Sequence, residues 1–126
     1  MILAPVSVGE LIDKITILEI KSERLADPAQ LANVRRELAL LTPLAPQGAE
    51  LDALRSRLKT INALLWDCED TVRALQRLGD FGETFIETAR AIYSNNDRRA
   101  AVKRLINELA GSEIIEEKSH PPSDVA

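Results

Sequence analysis

Seven charged or amide side chains lie in three stretches of the chain, and they are the residues best suited to bind a ligand. They are Asp13, Lys14, Glu69, Arg73, Asn96, Arg99 and Lys103. Residues three or four positions apart share one face of a helix, so packed helices can bring these side chains to one place. Arginine and lysine donate hydrogen bonds to phosphate and carboxylate oxygens, and carboxylates hold hydroxyl groups or a divalent ion.

Two interpretations of this polar set are open at the level of sequence. In the first, the side chains surround a pocket that binds or hydrolyses a small phosphorylated ligand, such as a nucleotide or a sugar nucleotide. In the second, they pair with one another as structural ion pairs between helices, because charged helix faces are usually solvated or mutually paired. The second interpretation favours an accessory or interaction module. The sequence assigns no catalytic residue and does not identify an enzyme.

Acidic residues give only a partial match to a magnesium site. Glu10 and Asp13 are similar to one of the paired carboxylate motifs that hold magnesium in all-helical nucleotide pyrophosphohydrolases, but the sequence has no clear second pair. Magnesium is therefore expected only with the phosphorylated-ligand interpretation, where it would activate water, and otherwise no cofactor is predicted. The sequence lacks a Ser-His-Asp pattern, a glycine-rich phosphate loop and a zinc motif.

The overall composition excludes several classes of protein. A chain of 126 residues, 45% of them hydrophobic and 3% aromatic, is long enough for one domain with a mainly aliphatic core. The net charge of −4 argues against general nucleic-acid binding, which needs clustered basic residues. No stretch has the length and hydrophobicity of a signal-peptide core or a membrane span. We expect a cytoplasmic protein that does not bind membranes.

Capping residues and helix breakers divide the chain into four helices. Ser7 and Asp27 stand at N-cap positions, each with a capping-box partner three residues later, so a helix is predicted to begin after each of them. These two helices are expected to end near Ala26 and Leu41. Prolines and a glycine in residues 42–49 predict a turn that reverses the chain.

Two longer helices follow this turn. A third helix is predicted over residues 50–78 and a fourth over residues 83–110, because Gly79 and Gly111 are typical helix terminators. The sequence therefore predicts an all-α fold, an antiparallel helical hairpin or bundle of about four helices with a long coiled-coil-like third helix. Residues 1–111 are predicted to form a single domain, and residues 112–126 an acidic, proline-containing and largely mobile tail.

The third helix carries the clearest apolar stripe in the chain. Its members alternate in steps of three and four: Leu51, Leu54, Leu58, Ile61, Leu65, Cys68, Val72 and Leu75. A stripe this long and narrow is stable only when another helix covers it. The first helix has a wider apolar face, which indicates a bundle or a dimer. The expected partner is a second copy of the chain or another protein, bound through these apolar helix faces.

The apolar stripe of the fourth helix turns polar without a change of spacing. The face that begins with Phe85, Ala89 and Ile92 continues with the polar residues Asn96, Arg99, Lys103 and Asn107. Either the helix breaks near Asn95 and Asn96, or a continuous helix directs a polar stripe at its neighbour. The sequence does not distinguish these alternatives.

Four stretches carry a pattern that resembles a known family. They read VSVGELIDKITILEIK over residues 6–21, LWDCED over 65–70, FGETFI over 81–86 and NDRRA over 96–100. Together they are similar to an uncharacterised bacterial all-helical family, domain of unknown function 6165. Because members occur beside or fused with glycosyltransferases and tetratricopeptide arrays, the resemblance implies an accessory module associated with surface-polysaccharide or glycosyltransferase systems. It implies no activity.

Overall fold

The computed structural model describes residues 1–122, and these residues form four α-helices and one short turn of 3-10 helix. The α-helices are α1 (Val8–Arg24), α2 (Pro28–Leu41), α3 (Ala49–Leu78) and α4 (Glu83–Ala110), and the 3-10 turn is Thr42–Leu44. No strand occurs in the described part of the chain, so the predicted all-α fold is confirmed. None of these helices combines the length and hydrophobicity that crossing a membrane would require.

The helix ends follow the predicted capping residues. The Ser7 side chain accepts a hydrogen bond from the backbone N–H of Glu10 at 3.0 Å, and Asp27 caps α2 in the same way. Gly79 and Gly111 adopt φ values of 68° and 65°, the left-handed conformation that ends a helix at low steric cost. Sequence and structure therefore agree on the bounds of α2, α3 and α4 to within one residue, and α1 ends slightly earlier than expected.

The helices pack as a bundle in which α1 is central. The long helices α3 and α4 form an antiparallel hairpin, because only a four-residue turn joins them and they contact each other along their length. α1 lies against one side of this hairpin and contacts both of its helices. α2 packs on α1, so the order from one side of the molecule to the other is α2, α1 and hairpin.

The core lies where α1 crosses the hairpin. It is built from aliphatic side chains of three helices that are at most 2% exposed: Ile12, Ile15, Leu58, Ile61, Val102 and Ile106. The predicted stripe of α3 is fully buried only at Leu58 and Ile61, and from Leu65 to Leu75 it is half-buried. No residue from 63 to 101 is fully buried. The turn end of the hairpin is therefore a two-helix arm with a thin core.

α4 is continuous through the asparagine pair. The Asn95 side chain donates to the carbonyl oxygen of Ala91 at 2.9 Å, one turn earlier in the same helix, and so does not cap a new helix. Because the helix is unbroken, Arg99 and Lys103 stay on the face that begins with Phe85 and Ile92. The structure thus settles the alternative that the sequence left open, since the polar stripe of α4 points at α1.

Candidate functional site

The polar stripe of α4 meets a buried carboxylate of α1, Asp13, which is 1% exposed. Its Oδ1 atom accepts hydrogen bonds from Asn62 Nδ2 at 2.8 Å and from Arg99 Nε at 3.0 Å, and its Oδ2 atom accepts from Arg99 Nη2. Asn62 also donates to the Thr16 hydroxyl at 2.9 Å. A buried charge is tolerated when it is paired and its remaining lone pairs are bonded, and Asp13 meets both conditions.

Arg99 is fixed by this bidentate contact. The hydrogen bond to Asp13 raises the pKa of Arg99 and outweighs burial, which acts to lower it. The side chain is 30% exposed, so part of the guanidinium faces solvent. Because a guanidinium carries five N–H donors and only two of them bind Asp13, further donors are available at that edge.

Lys103 lies one turn along α4 and contacts three carboxylates. Its Nζ atom is 2.6 Å from Glu10 Oε2, 3.2 Å from Glu116 Oε2 and 3.8 Å from Asp13 Oδ2. Burial lowers the pKa of Lys103, but the hydrogen bond to Glu10 and the charges of Asp13 and Glu10 outweigh it, so the pKa is raised.

We call these five charged residues the ion-pair cluster: Glu10, Asp13, Arg99, Lys103 and Glu116. Its three carboxylates outnumber its two cations, so the formal charge of the cluster is −1. Every cation in the cluster already contacts a carboxylate. The cluster therefore has no surplus positive charge with which to attract an anionic ligand.

The segment after α4 completes the cluster. The Ser7 hydroxyl donates to Glu116 Oε1 at 2.7 Å, and the Ser112 hydroxyl accepts from the backbone N–H of Val8 at 3.2 Å. Burial raises the pKa of Glu116, but its hydrogen bonds to Ser7 and Lys103 outweigh this effect, and the pKa is lowered. The sequence assigned residues 112–126 to a largely mobile tail and did not predict these contacts; residues 123–126 lie outside the described part.

A glycine sets the distance between α1 and α4. The backbone N–H of Gly9 donates to Asn107 Oδ1 at 2.6 Å. A Cβ atom at position 9 would lie 2.6 Å from the carbonyl oxygen of Lys103, which is closer than a real contact allows. The missing side chain therefore lets the two backbones meet and places Glu10 and Asp13 beside Lys103 and Arg99.

The structure divides the seven predicted site residues. Asp13, Arg99 and Lys103 come together in the ion-pair cluster. Lys14 lies elsewhere and pairs with Glu37 of α2 at 2.9 Å. Glu69 and Arg73 pair with each other on the exposed surface at 3.3 Å, as their spacing on one helix predicts.

Asn96 and Glu69 border an open cleft next to the cluster. The cleft has a volume of about 340 Å³ and lies among α1, α3 and α4. Its lining includes the apolar residues Ile20 and Ile92 and also Trp66 and Arg99. Within residues 1–122, the Asn96 side chain has no hydrogen-bond partner. The Arg24 guanidinium carbon is 5.9 Å from the centre of the Trp66 ring, so a cation already contacts this aromatic side chain.

The candidate site residues drawn from the sequence do not include Ser7, Asn62 and Glu116. Asn62 stands beside the apolar stripe of α3, and one signal for it is its spacing from Trp66 and Glu69. Ser7 was recognised only as a helix cap. Nothing in the tail sequence indicates that Glu116, among several acidic residues, is the one that reaches Lys103.

The arrangement of the acidic residues does not fit a magnesium site. Oxygens of Glu10 and Asp13 face Lys103 and Arg99, whose positive charges would repel a divalent cation. In the described residues, no group of three or more histidine, cysteine, aspartate or glutamate side chains could hold a metal ion.

Comparison with known proteins gives one relationship. Neither the curated proteins nor the solved structures include a significant match to this chain. A family model described as a family of unknown function matches residues 2–123, which is nearly the whole sequence. The stretches that resemble this family include Gly9, Asp13 and Arg99, the residues that join α1 to α4 in the structure. The chain therefore belongs to the family of unknown function DUF6165.

Proposed function

We propose that this protein is a helical protein-interaction module whose polar cluster serves as a scaffold. The observation that carries this proposal is the direct pairing of the cations of α4 with carboxylates of α1 and of the segment after α4. Asp13 and Arg99 make a bidentate pair, and Lys103 bridges Glu10 and Glu116. A catalytic or anion-binding pocket needs groups that are free to act on a ligand, whereas these groups hold α1, α4 and the following segment together.

The interaction surface of such a module is the side of the hairpin that α1 does not cover. We call it the outer face and define it by six exposed residues of α3 and α4: Arg57, Leu64, Glu87, Arg98, Leu105 and Leu109. Its three leucines are 42–44% exposed. Single exposed leucines are ordinary, but leucines that recur along one side of a two-helix surface favour a protein contact.

Site-specific photo-cross-linking tests the interaction proposal in the cells that produce the protein. A photoreactive amino acid replaces Leu64 on the outer face, and a matched chain carries it at Arg36 on α2. We expect cross-linked proteins, identified by mass spectrometry, from position 64 and none from position 36. Absence of any cross-linked protein at position 64 in a folded variant overturns the proposal.

One observation favours the alternative, a binder or hydrolase of a small phosphorylated ligand. The cleft beside the cluster exposes donors of Arg99 and an Asn96 side chain without a hydrogen-bond partner in the described residues. The test is thermal unfolding with inorganic phosphate, a nucleoside diphosphate or a sugar nucleotide, each with and without magnesium. The alternative expects a rise in Tm that is lost in Asn96→Ala; no rise with any of these probes contradicts it.

The association with surface-polysaccharide or glycosyltransferase systems is part of the proposal and is supported by the sequence resemblance alone. Under this proposal, the module would act together with the proteins of such a system. The choice between an interaction module and a ligand binder does not depend on this context.

A further inference from the structure

We propose that the outer face binds a second copy of this chain in antiparallel orientation, about a two-fold axis that passes close to Leu64. This inference rests on the proposed interaction function and names its partner. It follows from the order of charged and apolar residues along the face.

The charged residues on the outer face and at its edge are segregated along the hairpin. Arg57 and Arg98 line one shallow groove between α3 and α4, so the two cations lie at the same level. Asp67 and Glu87 line a second groove nearer the turn and also share a level. With a rise of 1.5 Å per residue, the basic and acidic levels are separated by about 15 to 17 Å on the two helices.

A two-fold axis halfway between these levels pairs opposite charges. It places Arg98 over Glu87 of the second copy, and Arg57 over Asp67, twice each by symmetry. The midpoint on α3 is close to Leu64, so the two copies of this side chain meet near the axis. A parallel arrangement would place like charges over each other, and their repulsion selects the antiparallel orientation.

The same rotation also brings apolar residues at the two ends of the hairpin to the same level. Leu109 lies about 25 Å from the midpoint along α4, and Leu78 lies about 24 Å from it in the opposite direction along α3. Reversing one copy therefore brings Leu109 to the level of Leu78 on the neighbouring helix of the second copy, a side chain that is 78% exposed. Along the hairpin, apolar residues lie at both ends and in the middle, and a basic and an acidic level lie between them. When one copy is reversed, each apolar level meets an apolar level and the basic level meets the acidic level.

Three of the four charged residues make no ion pair in the described part of the chain. Within residues 1–122, Arg57 and Glu87 have no ion-pair partner, and Arg98 contacts only Asn95 at 3.1 Å. Asp67 binds Arg24 through its Oδ1 atom at 2.6 Å, so Glu87 is the principal acidic partner.

The size of the face meets the requirement for a stable dimer. A helix of 30 residues is about 45 Å long, and two helices side by side are about 20 Å wide. The outline of this side of the hairpin, roughly 900 Å² per copy, is large enough to contain the roughly 800 Å² that each partner contributes to a standard interface.

Charge-swap variants test this pairing on the purified full chain. Light scattering should give the unmodified protein a molar mass of twice 13.9 kDa. Arg98→Glu and Glu87→Arg should each raise the dimer Kd at least tenfold, and the double variant should return it to near the original value. Arg36→Glu on α2 is the matched control, and circular dichroism checks that each variant is helical.

Each other outcome overturns the inference. A monomeric mass at 100 µM excludes the second copy, and a dimer that neither single variant weakens lies on another face. Single variants that weaken the dimer without rescue by the double variant exclude the antiparallel register. If the purified chain is monomeric while position 64 cross-links a different protein in cells, the interaction function stands and this inference fails.

Discussion

Asp13 shows how one side chain organises the interior of this protein. Its carboxylate is 1% exposed, yet its charge lies against the Arg99 guanidinium and its oxygens also accept from Asn62. The pair is asymmetric, because Arg99 retains an exposed edge while Asp13 has none. Removing the cation therefore costs more than the lost hydrogen bonds, since it leaves a buried negative charge behind.

Arg99→Ala should lower the free energy of unfolding by about 3 kcal/mol, the lower part of the range for breaking a buried ion pair. Lys103, 3.8 Å from Asp13, supplies partial compensation. Urea unfolding followed by circular dichroism measures the change. The control is Arg90→Ala on the exposed side of α4, which should change stability by less than about 0.5 kcal/mol. Equal stability of the two variants would show that Arg99 is not part of a structural ion pair.

Helical spacing alone is enough to suggest that Asp13 and Arg99 approach each other, and the structure pairs them. Asp13 and Arg99 were expected to converge because each lies on a polar stripe of a predicted helix. Lys14 was grouped with them, but adjacent residues on a helix point about 100° apart, and in the structure Lys14 pairs with Glu37 of α2 instead. Glu116, rather than another acidic residue of the tail, reaches Lys103 because of the path that the segment after α4 takes. This segment has no helical periodicity, so the sequence contains no pattern from which the path can be predicted.

At the scale of the elements, the length difference between α1 and α3 decides where the core is thick. α1 has 17 residues and α3 has 30, so α1 is about 20 Å too short to cover the whole hairpin. The stripe of α3 predicted a covering helix, and α4 supplies it along the whole length. Only the part near Leu58 gains a third helix, which is why the stripe is fully buried there and half-buried at Leu75.

Gly9→Ala should destabilise the protein by about 1 to 3 kcal/mol, although alanine favours helix formation elsewhere. The added methyl group would lie 2.6 Å from the Lys103 carbonyl oxygen, and a backbone atom cannot move aside without shifting α4. Thermal unfolding compares it with Gly82→Ala, where the nearest atom belongs to a side chain, Asp80 Oδ1, at 3.2 Å. An unchanged or higher Tm for Gly9→Ala would contradict the close crossing.

At the scale of the whole molecule, contacts between distant parts of the sequence join the start of α1 to the segment that follows α4. Ser7 bonds to Glu116 and Val8 to Ser112, across 109 and 104 residues of sequence. These contacts add residues 112–118 to the bundle, with further ion pairs from Lys118 to Asp97 and from Glu117 to Arg104. The start of α1 is therefore held by α4 and by the segment that follows it.

The stability that these contacts between the start of α1 and the segment after α4 provide should depend on pH through Glu116. Because its pKa is lowered in the folded protein, its contribution to stability is present above the ordinary glutamate pKa of about 4.3 and is lost as the pH falls through the folded value. Glu116→Gln should therefore be less stable than the unmodified chain at pH 7, and the difference should shrink in acid. Urea unfolding from pH 7 to pH 3 measures it. Glu113→Gln, an exposed neighbour, should show no such trend, and a difference independent of pH would contradict the assignment.

The position of Asp13 also constrains how the chain is completed during synthesis. Its partner Arg99 follows 86 residues later, and at 5 to 20 residues per second a ribosome needs roughly 4 to 17 s to add them. Throughout that interval the nascent α1 carries an aspartate on its most apolar side with no arginine to neutralise it. α1 is thus synthesised well before α4, and its buried charge is neutralised only after the Arg99 segment of α4 has been added.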